Sequence, residues 1–174
     1  SITASYLEMA LERFAMLPTG FTVSGTGVID PDLSQGDSFD FSAVQFSPTA
    51  DVTFVFDSDG DPANAVPVSW IGTSRGDYFY FEDDIYTATG GGGADLYGFE
   101  SDGDFDVTIT DFAPGSDKFN LAESPFRSFA HISAFLRQQG ADTVFQGVFG
   151  SQNVSITMQG VQLGSLSAAD FIIN

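Results

Sequence analysis

Cysteine is absent from the 174-residue chain, which excludes a disulfide framework and thiol chemistry. Basic residues are nearly absent. Arg13, Arg75, Lys118, Arg127 and Arg137 stand against 24 Asp and Glu, for a net charge of −19. So acidic a chain is repelled by nucleic acid and by anionic membranes, which excludes both as partners. His131 is the single histidine, so a two-histidine zinc site of the HExxH kind cannot be built. No run of 18 apolar residues occurs, and membrane insertion is not expected. The opening SITASYLEMALERF has no basic region ahead of an apolar core, and does not read as a cleavable secretory signal.

Catalytic signatures are equally thin. Gly72-Thr73-Ser74-Arg75-Gly76 fits GxSxG, but a nucleophile elbow needs a helix after the serine, and an aromatic strand pattern follows at 77–81. Ser74 therefore reads as a turn residue, and so does the Arg75-Gly76-Asp77 tripeptide. Acids are too abundant for any pair to stand out as glycosidase carboxylates. An enzyme is not expected.

The chain is rich in glycine, aspartate and phenylalanine, with 19 Gly and 19 Phe. These residues recur in a pattern. Gly36-Asp37-Ser38-Phe39-Asp40-Phe41 matches Gly76-Asp77-Tyr78-Phe79-Tyr80-Phe81, and Ala94-Asp95-Leu96-Tyr97-Gly98-Phe99 follows 18 residues after the latter. Phe56-Asp57-Ser58-Asp59-Gly60-Asp61 matches Phe99-Glu100-Ser101-Asp102-Gly103-Asp104. Each unit reads as a Gly/Asp turn followed by a short strand whose alternate aromatics face a core. A spacing of 18 is two nonapeptides, one full coil of a parallel β-roll.

The best-preserved unit has Gly90, Gly91, Gly93 and Asp95 in GGxGxD spacing with Leu96 next, which is the calcium-binding nonapeptide GGxGxDxUx. Calcium takes six to eight oxygens. Glycine reaches positive φ and lets carbonyls approach an ion, and Asp adds a short carboxylate. The expected ligands are Gly90, Gly92 and Asp95, with Asp77 one coil earlier. Asp102, Asp104 and Asp106 follow in the next turn, and Asp57, Asp59 and Asp61 in the related earlier one. The 57–61 run opens like an EF-hand loop, but Pro62 and Val68 stand where that loop needs Gly and Glu. It reads equally as a second ion site or as a solvated acidic loop. One or two ions are expected. Self-repulsion at this net charge should couple folding to Ca²⁺.

Outside the repeats, 5–17 reads as a helix with a Ser5/Glu8 capping box and an apolar face of Leu7, Ala10, Leu11 and Phe14. Strands are predicted near 38–41, 52–56, 143–149 and 153–158, and a polar loop over 57–69. A second helix is predicted over 126–139, with Phe129, Ile132, Phe135 and Leu136 on one face and Gly140 as its stop. Ser167 and Asp170 have capping-box spacing. The fold class is mainly β: a parallel β-roll or β-solenoid-like sandwich of short strands, with an N-terminal helix and one helix in the C-terminal third. Three segments compose it: a helical arm (1–30), a β-roll-like calcium-binding region (31–122) and a C-terminal cap (123–174), packed as one unit.

From about residue 76 onward the chain resembles the C-terminal region of RTX (hemolysin-type calcium-binding) proteins. The resembling segments are GGGGADLYGF, ITDFAPGSDKFNLA (109–122), GADTV (140–144) and the closing LSAADF (166–171). It is similar to the C-terminal domain of serralysin-type proteases without the protease. Only one nonapeptide is well preserved, and Val107 stands where the family pattern has Asp. The resemblance implies an uncleaved C-terminal signal read by a type I ABC exporter, bacterial secretion to the extracellular space or cell surface, and folding there on calcium. Two functions remain open. One is a structural or surface protein that self-assembles as a homo-oligomer, filament or layer. The other is a secreted binding module, an adhesin or small-ligand carrier, using residues 1–75 and the aromatics around Trp70, Tyr78 and Tyr80.

Overall fold

The computed structural model describes residues 2–4, 7–8, 21–30, 38–57, 67–82, 85–99, 104–122, 124–149 and 152–173. It is mainly β, with two sheets and, among the described residues, one short α-helix. The first sheet contains β1 (Ile2–Ala4), β3 (Thr22–Asp30), β6 (Asp51–Phe56), β8 (Tyr78–Phe81), β10 (Leu96–Phe99), β12 (Lys118–Asn120) and β16 (Phe171–Ile172), in that spatial order. Two short strands, β2 (Leu7–Glu8) and β5 (Gln45–Phe46), also pair with β3. The second sheet runs β13 (Leu136–Gln139), β14 (Asp142–Phe149), β15 (Gln152–Met158), β11 (Phe105–Ile109), β9 (Ile85–Thr89), β7 (Pro67–Ile71), β4 (Phe39–Asp40). From β6 to β12 the chain visits the two sheets alternately, and every pairing it makes there is parallel.

All-parallel sheets are usually covered on both faces and read as continuous apolar runs. Here the strands alternate instead. In β6, Val52, Phe54 and Phe56 are buried between exposed or half-buried neighbours, and β7 and β9 repeat the pattern with Val68 and Trp70, Tyr86 and Ala88. Each sheet therefore packs one face on the other sheet and turns its second face outward. The inward aromatics stack in register. Phe56, Phe79, Tyr97, Phe119 and Phe171 lie on five successive strands, with centroids 4.6, 5.2, 5.9 and 5.5 Å apart. Those separations follow the ~4.8 Å spacing between neighbouring strands, so ring stacking and strand pairing reinforce each other. Trp70 reaches across from the second sheet to stack on Phe81 at 5.9 Å.

The register carries the 18-residue spacing directly. Leu96 pairs with Tyr78 and Pro67 with Ile85, and the Asp77–Asp95 contact spans 18 residues. Neighbouring coils are longer. The Asp95–Asp117 contact spans 22 residues, the extra residues being taken up in the turns. One repeat match is not structural. Phe39–Asp40 pairs with β7 in the second sheet, whereas Tyr78–Phe81 lies in the first.

The helix expected over 126–139 is confined to α1 (Phe129–Ser133), capped by the Ser128 side chain. Leu136–Gln139 instead pairs antiparallel with β14. Gly140, at φ +67°, opens a two-residue turn, and a glycine there favours a tight hairpin over a helix end. Of the polar loop expected over 57–69, residues 67–69 belong to β7 instead, and 58–66 lie outside the described residues. Of the helix expected over 5–17, Leu7–Glu8 is a short strand beside Ile29–Asp30, and the other residues lie outside those described. Residues 22–30, assigned to the arm, form β3 within the first sheet.

Candidate functional site

The turns that lead into β8, β10 and β12 stack along one end of the first sheet, and each carries an aspartate one residue before its strand: Asp77, Asp95 and Asp117. All three are buried, at 2%, 4% and 3% exposure. They form a ladder. The Thr73 amide and hydroxyl donate to the two Asp77 carboxylate oxygens at 2.6 and 3.1 Å. The Asp77 amide donates to Asp95 Oδ1 at 2.9 Å, and the Asp95 amide to Asp117 Oδ1 at 3.0 Å. The Ala113 amide donates to Asp117 Oδ2 at 2.8 Å. Asp170 closes the series from the capping box after Ser167, accepting from the Gly115 amide at 2.6 Å. Asp111 accepts from the Gly90 and Gly91 amides at 2.8 and 2.9 Å.

The glycines of the GGxGxD unit are explained by this stacking. A Cβ at Gly91 would strike the Thr73 carbonyl, and one at Gly90 would meet the Asp95 carboxylate. Gly93 combines φ +119° with the Gly76 amide lying where its Cβ would be, so no L side chain fits there. The Gly92 amide donates to the Thr73 carbonyl at 3.0 Å, tying the two turns together.

Burial makes these acids reluctant to ionise. It holds the Asp77 carboxyl up at about 7, against the Thr73 hydrogen bonds. It holds Asp95 at about 7 as well, and the charges acting on Asp95 come from Asp117, Asp77 and Asp111, all acidic. Burial also raises Asp117. Beside them the Tyr97 hydroxyl is fully buried, with no hydrogen-bond partner among the described residues. This hydroxyl and Asp95 Oδ2 both crowd Gly90: a Cβ there would lie 2.2 Å from the carboxylate oxygen and 2.5 Å from the hydroxyl. The two polar atoms nearest the glycine are both oxygens, the donor type a hard cation takes. No three His, Asp or Glu side chains among the described residues converge closely enough to hold one ion, so backbone carbonyls and the tyrosine would have to complete a coordination shell.

Of the residues selected from sequence, the structure brings together Asp77, Gly90, Gly92 and Asp95. Asp57 lies elsewhere, half-buried at the end of β6, and Asp106 faces outward on β11. Asp104, exposed, accepts from the Asn153 amide at 2.7 Å. Asp59, Asp61 and Asp102 lie outside the described residues. Sequence reading missed Asp117, Asp111, Asp170, Thr73 and Tyr97. Asp117 had a signal, since Asp117-Lys118-Phe119 repeats the spacing of Asp77-Tyr78-Phe79 and Asp95-Leu96-Tyr97. Ser74 sits exposed in the turn before β8, and His131 packs its ring on Phe126 at 5.0 Å.

A pH dependence follows, with its sign fixed. A carboxyl whose folded pKa is raised binds its proton more tightly in the folded state, so stability falls as pH rises between the unfolded value of 3.8 and the folded value of about 7. In the presence of a chelator the melting temperature is expected to be several degrees higher at pH 5 than at pH 8. Each kcal/mol moves the midpoint by about 2–4 °C for a chain of this size. A midpoint that rises with pH under chelation would contradict the assignment.

No family model matches the chain, and no curated protein matches it in sequence. Among the described residues, no helix is long and apolar enough to cross a membrane.

Proposed function

We propose that the chain is a calcium-binding parallel β-roll, a secreted, non-enzymatic scaffold exported by a type I system through its LSAADF-bearing C-terminal segment. The observation that carries this reading is the buried aspartate ladder: three carboxylates among acidic neighbours, next to a buried tyrosine hydroxyl that has no hydrogen-bond partner among the described residues. Such an arrangement is costly when ionised and is relieved by a bound divalent cation. Asp95 and Asp77, with carbonyl oxygens of the 72–77 and 90–95 turns, would hold the ion. Calcium would supply the counter-charge that stacked turns lack, and so couple folding to the millimolar Ca²⁺ outside cells. The alternation of β6 to β12 between the two sheets, with every pairing among them parallel, supports the roll. The capping box at Ser167 and Asp170 supports an ordered end to the segment that resembles an export signal.

The test is thermal unfolding followed by circular dichroism in EGTA and in millimolar Ca²⁺. One ion at a hundred times its Kd adds about 2.7 kcal/mol, so the midpoint is expected to rise by roughly 5–10 °C. Identical spectra and midpoints in the two conditions would sink the calcium reading.

A further inference from the structure

The outer face of the first sheet carries a groove of about 320 Å³. We infer that this groove binds a neutral oligosaccharide. One register row builds it. Gly98 pairs with Tyr80 on one side and Asn120 on the other. Asp57 follows Phe56, whose partner Phe79 precedes Tyr80, and so lies beside that tyrosine. Asp57, Tyr80, Gly98 and Asn120 thus cross four neighbouring strands, a trough about 14 Å long at ordinary strand spacing.

Gly98 sets its shape. A Cβ there would stand 2.5 Å from the Tyr78 hydroxyl, 3.0 Å from Tyr78 Cε2 and 3.0 Å from Tyr80 Cδ2. The two rings, 6.1 Å apart and inclined at 64° to each other, therefore lean over the glycine and form an angled aromatic floor. Both tyrosines are half-buried, so part of each ring remains open to solvent. An aromatic face is electron-rich, and it complements the C–H face of a sugar ring. At one end Asp57, whose Oδ1 is buried, has its second carboxylate oxygen to accept a sugar hydroxyl, and at the other Asn120, whose Oδ1 accepts from the Ala122 amide at 3.2 Å, has its NH₂ to donate. The volume lies at the lower end of the range for small-molecule sites, roughly 300–1,000 Å³. Charge decides among ligands. Asp57 and the net charge of −19 repel uronic acids, sulfated glycans and nucleotides. The mixed polar lining does not suit a lipid tail. A neutral sugar fits both constraints.

The groove lies on the outer face and uses none of the ladder aspartates, so its test is separable from that of calcium. The full chain, in Ca²⁺, is applied to arrays of neutral gluco-, xylo-, manno- and chito-oligosaccharides, and any retained class is titrated by calorimetry. Retention of at least one neutral class is expected. Tyr78→Ala or Tyr80→Ala should weaken it about tenfold, the loss of one stacking contact, while Tyr80→Phe keeps the stacking and most of the affinity. Asn120→Ala, which leaves the aromatic floor in place, should also weaken binding. Circular dichroism of each variant, with and without Ca²⁺, shows whether the fold and its calcium response persist. Retention of no neutral sugar by the folded chain overturns the proposal. So does binding that survives both the Tyr78→Ala/Tyr80→Ala double variant and Asn120→Ala.

Discussion

Phe79→Ala is expected to cost about 3–5 kcal/mol of folding stability, the range for removing a large buried aromatic. Phe79 is fully buried at the centre of the ring ladder. It stacks on Phe56 at 4.6 Å with an 8° interplanar angle and on Tyr97 at 5.2 Å with 16°. Strand pairing pins these rings at the spacing between coils, so the neighbours cannot close a gap without breaking backbone hydrogen bonds. The cavity would stay largely open, and its cost would sit near the top of the range. Tyr78→Ala is the control. Tyr78 is next in sequence but on the outer face, only half-buried, and its loss should cost about 1 kcal/mol or less. Urea unfolding of both variants in Ca²⁺ is the measurement. Equal losses would show that the ladder is not what holds the coils together.

Asp95→Asn is expected to change the sign of its effect with calcium. In chelator at pH 8 it removes a buried charge whose folded pKa stands near 7. It keeps an oxygen to accept from the Asp77 amide. Its new NH₂ would stand on the side of Gly90 that the Tyr97 hydroxyl, an acceptor, also borders. The variant should therefore be more stable than the parent there, by on the order of 2–4 kcal/mol. Near pH 4 the parent carboxyl is protonated and the advantage should vanish. In Ca²⁺ the order should reverse, because a neutral amide is a poorer ligand than a carboxylate. Melting temperatures across pH, with and without chelator, test both halves. A variant less stable than the parent at every pH in chelator would refute the charge argument. A variant with an undiminished calcium increment would remove Asp95 from the proposed ligand set.

The strands were legible where their chemistry is local. Val52-Thr53-Phe54-Val55-Phe56 and Val154-Ser155-Ile156-Thr157-Met158 alternate apolar with polar or half-buried residues, and each forms a strand with the first set inside. The 18-residue spacing around Asp77 and Asp95 was legible for the same reason, since each Asp leads directly into a strand and the two strands pair in register. The helix over 126–139 was overread because Phe129, Ile132, Phe135 and Leu136 fit a helical stripe. The Gly140 turn and the pairing of Leu136 with Phe145 take the last of these into a hairpin. Sequence periodicity cannot weigh a distant partner strand against a local turn.

In the candidate site, the sequence by itself determined which residues could stack closely. Gly90, Gly91, Gly93 and Asp95 allow turn to lie on turn because glycine has no side chain to hold them apart. It also determined the imbalance of charge that makes a counter-cation worth seeking. Only the tertiary structure decided that Asp117 continues the ladder from 22 residues away, that Asp106 faces outward, and that the Tyr97 hydroxyl is buried beside Gly90. Turns of unequal length break the repeat in sequence while the sheets keep it in space. Hydrogen-bonded register sets which residues face each other, and that register is fixed by pairing between strands, not by spacing along the chain.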